Sequence, residues 1–201
     1  MPGTDSRAPD RDDRCGSARL PAAGLRAVLL CLLVPLTLTA GCKLLSATFR
    51  IAHDVQTSPS QSLRGEVPPL VCDLGAEKDF QDNRDRIRSI DAAGLVFRAT
   101  NNSDSTAACE IWMSPTRIDP PTAEAIRGSA QARRVLGGLE LPPHEAVDLS
   151  FERSQVLEEN VDFLDQTVRQ GVFYLYGLMD QPSFDLTLER MTVVVVFTIE
   201  Y

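Results

Sequence analysis

The chain closes on FDLTLERMTVVVVFTIEY, Phe184 to Tyr201, and the parity of its apolar residues decides the fold. Phe184, Leu186 and Leu188 fall on even positions; Met191, Val193, Val195, Phe197 and Ile199 fall on odd ones. Alternation with period two is the mark of a strand with one buried face. A strand changes faces only by inserting a residue, so the parity switch at Glu189-Arg190 predicts a bulge or bend. Residues 193–196 are apolar on both faces, which predicts a central strand.

Working back from that strand, Gln181-Pro182-Ser183 reads as a turn and residues 172–178 (VFYLYGL) as an aromatic strand. Residues 154–169 read as a helix. Ser154 stands as its cap, Gly171 lies just past its end, and Leu157, Val161, Leu164 and Val168 form one apolar stripe. Residues 146–152 alternate through Val147, Leu149 and Phe151, and residues 134–141 make a short strand bent at Gly137-Gly138. Between 114 and 131 the strands are interrupted, with a helix start at Asp119-Pro120-Pro121-Thr122. Further back, residues 94–100 and 106–113 are two strands flanking Asn101-Asn102-Ser103-Asp104-Ser105, and together they predict a hairpin. Residues 77–90 read as a helix with Phe80 and Ile87 toward a core, and residues 70–74 as a first strand. About seven strands with few helices predict a mainly β fold, a two-sheet β-sandwich with one or two short helices between strands.

Two stretches carry a resemblance at the level of fold. VFRATNNSDSTAACEIWM (96–113), followed by LELPPHEAVDLSF (139–151), resembles the immunoglobulin-like domains common on bacterial surfaces. The likeness covers residues 69–201 and implies an immunoglobulin-like fold, with no activity attached. The chain departs from antibody domains in the position of its cysteines and in the helix between its later strands. The architecture also resembles that of uncharacterised lipoproteins with a sandwich like that of plant desiccation-related proteins.

The amino-terminal third is of another kind. Residues 1–19 are polar and aperiodic, a composition that buries no core. Residues 27–38 (AVLLCLLVPLTL) are an apolar run too short to span a bilayer, preceded by Arg14, Arg19 and Arg26 and followed by small residues, as in a signal peptide. The run ends Leu38-Thr39-Ala40-Gly41-Cys42, which resembles the lipobox of bacterial lipoproteins. The resemblance implies cleavage before Cys42 and attachment of a diacylglyceryl group to its sulfur, with palmitate-type acyl chains. Thr39 stands where the lipobox usually has leucine, with Leu38 one place earlier. A diacylglyceryl group supplies the two chains that stable anchoring needs. Lys43 stands where many inner-membrane lipoproteins carry an aspartate, so the resemblance points to the outer membrane, facing periplasm or surface. The expected organisation is a leader and signal peptide over 1–41, a lipidated tether over 42–68 and a sandwich domain over 69–201.

Composition narrows function further. The whole chain has net charge −8; without its first 41 residues it has 15 basic and 24 acidic residues, net −9. That is a poor footprint for nucleic acid and argues against a polybasic grip on anionic lipid as the anchor. Of five cysteines, Cys15 and Cys31 leave with the leader and Cys42 carries lipid, which leaves Cys72 and Cys109. In an oxidising compartment an even remainder points to a disulfide; the alternative is two thiols buried separately. His53, in the tether, and His144, in a turn, lack partners at metal-binding spacing, and no nucleophile elbow, Walker loop or dinucleotide fingerprint is present. Asp79, Asp82 and Asp85 are interleaved with arginines that compete for a calcium ion's ligands.

The expectation is a non-enzymatic envelope module without cofactor or metal, held by lipid on Cys42. It would bind an unidentified envelope protein or ligand through its edges and the loops at 101–105, 114–131 and 179–183. An accessory domain binding a small molecule or glycan through Trp112, Tyr174 and Tyr176 is the alternative. An outer-membrane barrel, suggested by alternating Val195, Phe197, Ile199 and Tyr201, is the third reading.

Overall fold

The computed structural model describes residues 46–55, 61–64, 68–181 and 184–201, with side chains for all but 61–64. Its organising element is the closing strand, β9 (Asp185–Glu200). Leu186 and Leu188 are buried before the parity switch, and Met191, Val193, Val195, Phe197 and Ile199 after it. At the switch, Arg190 takes a left-handed φ of 40°, and the facing strand steps from Phe97↔Met191 to Arg98↔Glu189. Arg190 is thus the extra residue of a bulge, as the parity demands.

Two strands flank β9. On one side β1 (Ser46–Val55) pairs with Glu200 back to Met191, and β2 (Gln61–Arg64) continues the same lane against Leu188 to Asp185. On the other side lies β4 (Ile87–Asn101), whose far end also pairs with β7 (Ala146–Leu149). The second sheet has the order β3-β8-β5-β6, from β3 (Leu70–Asp73), β8 (Val172–Met179), β5 (Ala107–Ser114) and β6 (Arg133–Leu141). All these pairings are antiparallel.

With β1 and β2 taken as one lane, the described residues make eight strands. Their pairs join first to last: β1 with β9, β3 with β8, β4 with β7, β5 with β6. This is one long antiparallel ribbon rolled on itself, closed into two sheets by β9 against β4 and β8 against β5. Such a winding is the jelly roll. It corrects the immunoglobulin-like expectation, where the sheets run ABED and CFG. Here β5 and β6 are the only sequence neighbours that pair among the described residues. The predicted hairpin across Asn101–Ser105 is corrected too: β4 and β5 belong to opposite sheets. Alternation tells which face of a strand is buried, and both faces here point into the same core from opposite sides.

The core between the sheets is apolar. It includes Ile51, Leu95, Phe97, Ile111, Leu139, Leu175 and, on β9, Leu186, Leu188 and the odd residues from Met191 to Ile199. Burying each such side chain contributes about 1.5–3 kcal/mol. Among the described residues the sheets meet face to face over this apolar layer.

Two expected boundaries move. The folded unit runs Leu44–Tyr201, so most of the segment read as a tether enters the sheet, with β1 beginning four residues after Cys42. The helix expected over 77–90 shortens to α1 (Lys78–Asn83) and one 3-10 turn, because residues 87–93 pair with the end of β9. Pairing and burial outweigh helical propensity there.

Three further helices cover the sandwich. α2 (Ala123–Gly128) is capped by Thr122, whose hydroxyl accepts from the Ala125 amide. The long helix expected over 154–169 is two: α3 (Phe151–Val156), capped by Ser150, and α4 (Val161–Gln170), which starts at a left-handed Asn160. Ser154 is buried inside α3, where its Oγ accepts from the Leu95 amide and donates to the Phe151 carbonyl. Gly171 closes α4 at φ 87°. Among the described residues the edge of β4 beyond β7 has no strand partner, and this turn of serine and backbone lies against it.

Candidate functional site

The long strands sort the loops into two ends. β9 carries its Asp185 end and its Glu200 end about 50 Å apart, at roughly 3.3 Å per residue. At the Asp185 end three stretches meet: residues 101–106, residues 142–145, and Asp180 with Gln181. Sequence reading expected binding from 101–105 and 179–183, and the structure brings these two together. It adds 142–145, which holds His144 and Glu145.

Asn101 organises this end. It is 1% exposed. Its Nδ2 donates to the Ser105 carbonyl (2.8 Å) and the Leu141 carbonyl (2.9 Å), and its Oδ1 accepts from the Ser103 amide (3.0 Å). Its own amide donates to the Glu145 carbonyl. One side chain therefore ties the 101–106 loop to itself and to the end of β6.

Asp180 and Gln181, which follow β8, are bound as firmly. Asp180 Oδ1 accepts from the Ala108 amide at 2.8 Å, and the Asp180 amide donates back to the Ala108 carbonyl. Gln181 donates to the Thr106 carbonyl and accepts from Ser105 Oγ. Asn102 Nδ2 donates to Asp185 and Thr187, and Ser103 Oγ accepts from the Asp185 amide. On the exposed rim His144 pairs with Asp104 at 2.9 Å, at a backbone φ of 56°. Residues 101–106, 142–146 and 180–185 hold Asp104, Glu145, Asp180 and Asp185 and no lysine or arginine. The result is a polar, acidic and pre-organised surface.

The remaining candidates fall elsewhere. Cys42 and the lipobox lie outside the described residues. Cys72 and Cys109 are free and buried. They sit on β3 and β5, on opposite sides of β8, opposite Phe173 and Met179 respectively. That places them two strand spacings apart, about 10 Å, and six residues along, about 20 Å. A disulfide needs Cα atoms within about 7 Å, so the expected bridge is corrected to two separate thiols. Burial pushes both thiols up to about 12, helped by Asp73 beside Cys72 and Glu110 beside Cys109.

The aromatic trio does not form a platform. Tyr176 is fully buried, its hydroxyl accepting from the Ile118 amide at 2.8 Å, because the 114–132 connection folds over the outer face of the second sheet. There Ile126, Ala132, Tyr176 and Leu178 make a second small core, with Trp112 and Tyr174 at its margin. Glu110 holds this cover in place. It accepts from Trp112 Nε1 (3.0 Å), Arg127 (3.2 Å) and Arg134 (2.9 Å). Burial alone would raise its carboxyl, but these three donors outweigh it and hold it below the usual range. Sequence reading placed this connection among the binding loops; its apolar side faces inward.

His53 lies on β1 and meets Glu77 at 2.8 Å. Lys78 pairs with Asp82, in the stretch weighed for calcium. Among the described residues no His, Cys, Asp and Glu form a group suited to a metal ion. A cavity of about 20 Å³ between the sheets and α4, bordered by Leu95, Ser154, Glu158 and Val168, has room for about one water molecule. Burial raises the Glu158 carboxyl there. An open groove of about 520 Å³ runs over the bulge, with Arg98 paired to Asp148 at 3.6 Å and Glu189, Arg190 and Thr192 beside it. Among the described residues no helix is long and apolar enough to cross a membrane.

No family model and no curated protein matches the chain. Solved structures do. One from turnip yellow mosaic virus matches with 12% identity and TM-score 0.33, over 80% of this chain and 82% of that one. One from Desmodium yellow mottle tymovirus matches with 10% identity and TM-score 0.30, over 100% and 97%. One of mud crab tombus-like virus matches with 10% identity and TM-score 0.31, over 100% and 91%.

Proposed function

We propose that the chain is an envelope lipoprotein, moored by acyl chains on Cys42, whose jelly roll is a non-enzymatic interaction module. Its partner is an envelope protein or ligand that meets the Asp185 end. The observation that carries the interaction role is the cross-bonding of the three loops through Asn101, Asp180 and Gln181. Loops ordered before binding lose little entropy on binding, so a polar surface of this kind suits recognition. Its acidic residues favour a partner with basic groups, with attraction that weakens as salt rises. The lipobox at Leu38, Thr39, Ala40, Gly41 and Cys42 supports the anchor. The resemblance that supports it also favours the outer membrane.

The test pairs a photo-crosslinking residue at Glu145, on the loop end, with one at Glu124, on the exposed α2. In cells making the full chain, the reading expects one discrete adduct from position 145 that is lost when Asp104 and Asp180 become Asn, and none from 124. Equal, diffuse adducts from both positions would contradict it. Cys42→Ser is expected to move the protein from the envelope pellet to the soluble fraction.

A further inference from the structure

We propose that the opposite end of the jelly roll is a phospholipid-contact face, in which Arg84, Arg86, Arg88 and Tyr201 meet anionic headgroups. This rests on acylation of Cys42. Three residues separate Cys42 from Ser46, the first residue of β1. Four Cα steps reach at most about 14 Å, so the sandwich begins at the depth of the headgroups whatever path those residues take.

What surrounds Ser46 then faces the lipid. Ser46 is the register partner of Glu200, and Ile199 is that of Ile87. The turn into β4, Arg84-Asp85-Arg86-Ile87-Arg88, therefore lies beside the strand that leaves the membrane, and it carries three cations to one anion. All three arginines are exposed. They are also held in place. Arg88 pairs with Glu200 at 2.9 Å, Arg86 lies 5.4 Å over the Tyr201 ring, and Arg84 donates to the Gln170 carbonyl. Tyr201 is 63% exposed, and a ring with an apolar body and polar tip suits the interface.

Arginine forks fit phosphate oxygens, and each gives up or shares a protein partner to do so. Three arginines on a processed chain of net charge −9 do not anchor it. The acyl chains anchor and the arginines orient. Screening limits the bilayer's field to about 8 Å at physiological salt. It attracts this end and does not reach the acidic loops, which the strands carry about 50 Å away. The loop surface is thereby directed away from the membrane.

The test uses full-length protein processed in cells and reconstituted into vesicles of phosphatidylcholine with phosphatidylglycerol. A fluorophore is placed at Asp85→Cys or at Glu145→Cys, and a spin-labelled headgroup serves as quencher. Cys72 and Cys109 are buried and stay unlabelled under native conditions. The expected result is quenching several-fold stronger at 85 than at 145. Molar salt, or R84Q/R86Q/R88Q, should cut the quenching at 85 by at least half while the protein stays on the vesicles. Equal quenching at 85 and 145, or quenching at 85 unchanged by salt, in a protein whose mass carries the acyl chains, overturns the contact face and leaves the anchor standing. A product without acyl mass overturns both.

Discussion

Asn101 shows how much one side chain sets. Its amide saturates two carbonyls and one amide in a loop that crosses between sheets. Asn101→Ala leaves those groups unpaired where water cannot replace them all, and should cost about 2–3 kcal/mol in a urea titration. An effect below about 0.5 kcal/mol would mean the loop finds other partners. Glu110 adds a pH dependence. Its folded pKa is depressed, so its contribution is complete above the ordinary carboxylate range near 4.3 and is lost as pH falls through the lower folded value. Glu110→Gln should lower stability by about 1–2 kcal/mol at pH 7, and the gap from the parent should close below about pH 4. A constant gap across that range would show that the charge is not what matters. The two cysteines give a covalent check. Native protein should resist alkylation at pH 8 and take up two equivalents at Cys72 and Cys109 on unfolding without reductant, whereas a disulfide would take up none.

At the scale of elements, the parity of β9 was legible because its bulge, its buried face and its central place follow from the order of apolar residues alone. The aromatic strand β8 and the bend at Gly138, where φ is 72°, were legible for similar local reasons. Partnership was not. Ala107, Cys109 and Ile111 show a buried face without showing which sheet supplies it, so a crossover looked like a hairpin. The stretch 154–169 is two helices because Ser154 lies inside the first of them, against the edge of β4, where its Oγ accepts from the Leu95 amide. The close approach responsible is at Gly94. A Cβ there would lie 2.5 Å from Ser154 Oγ and 2.8 Å from the Phe151 ring. Gly94→Ala should therefore destabilise by about 1–3 kcal/mol and raise hydrogen exchange in α3 more than in β9. A neutral result would mean α3 is not seated on β4.

At the scale of the molecule, the chain joins two segments read by different signals. The expected leader and the lipobox-like stretch Leu38–Cys42 are read from short sequence rules that need no fold. The sandwich is written in alternation, which gave the class and missed the winding. Ser, Thr and Gln after position 42 have the composition of a linker, yet Ala47, Phe49, Ile51 and Val55 alternate inward on β1. With β1 starting four residues after Cys42, acylation there would give the molecule a membrane end and a loop end, and both proposals depend on that acylation. Mass spectrometry of the intact exported protein tests it most directly. The predicted product begins at Cys42 and carries the mass of a diacylglyceryl group, with or without a further acyl chain on its amine. A product with an unmodified thiol at 42, or one that retains the leader, would contradict the account.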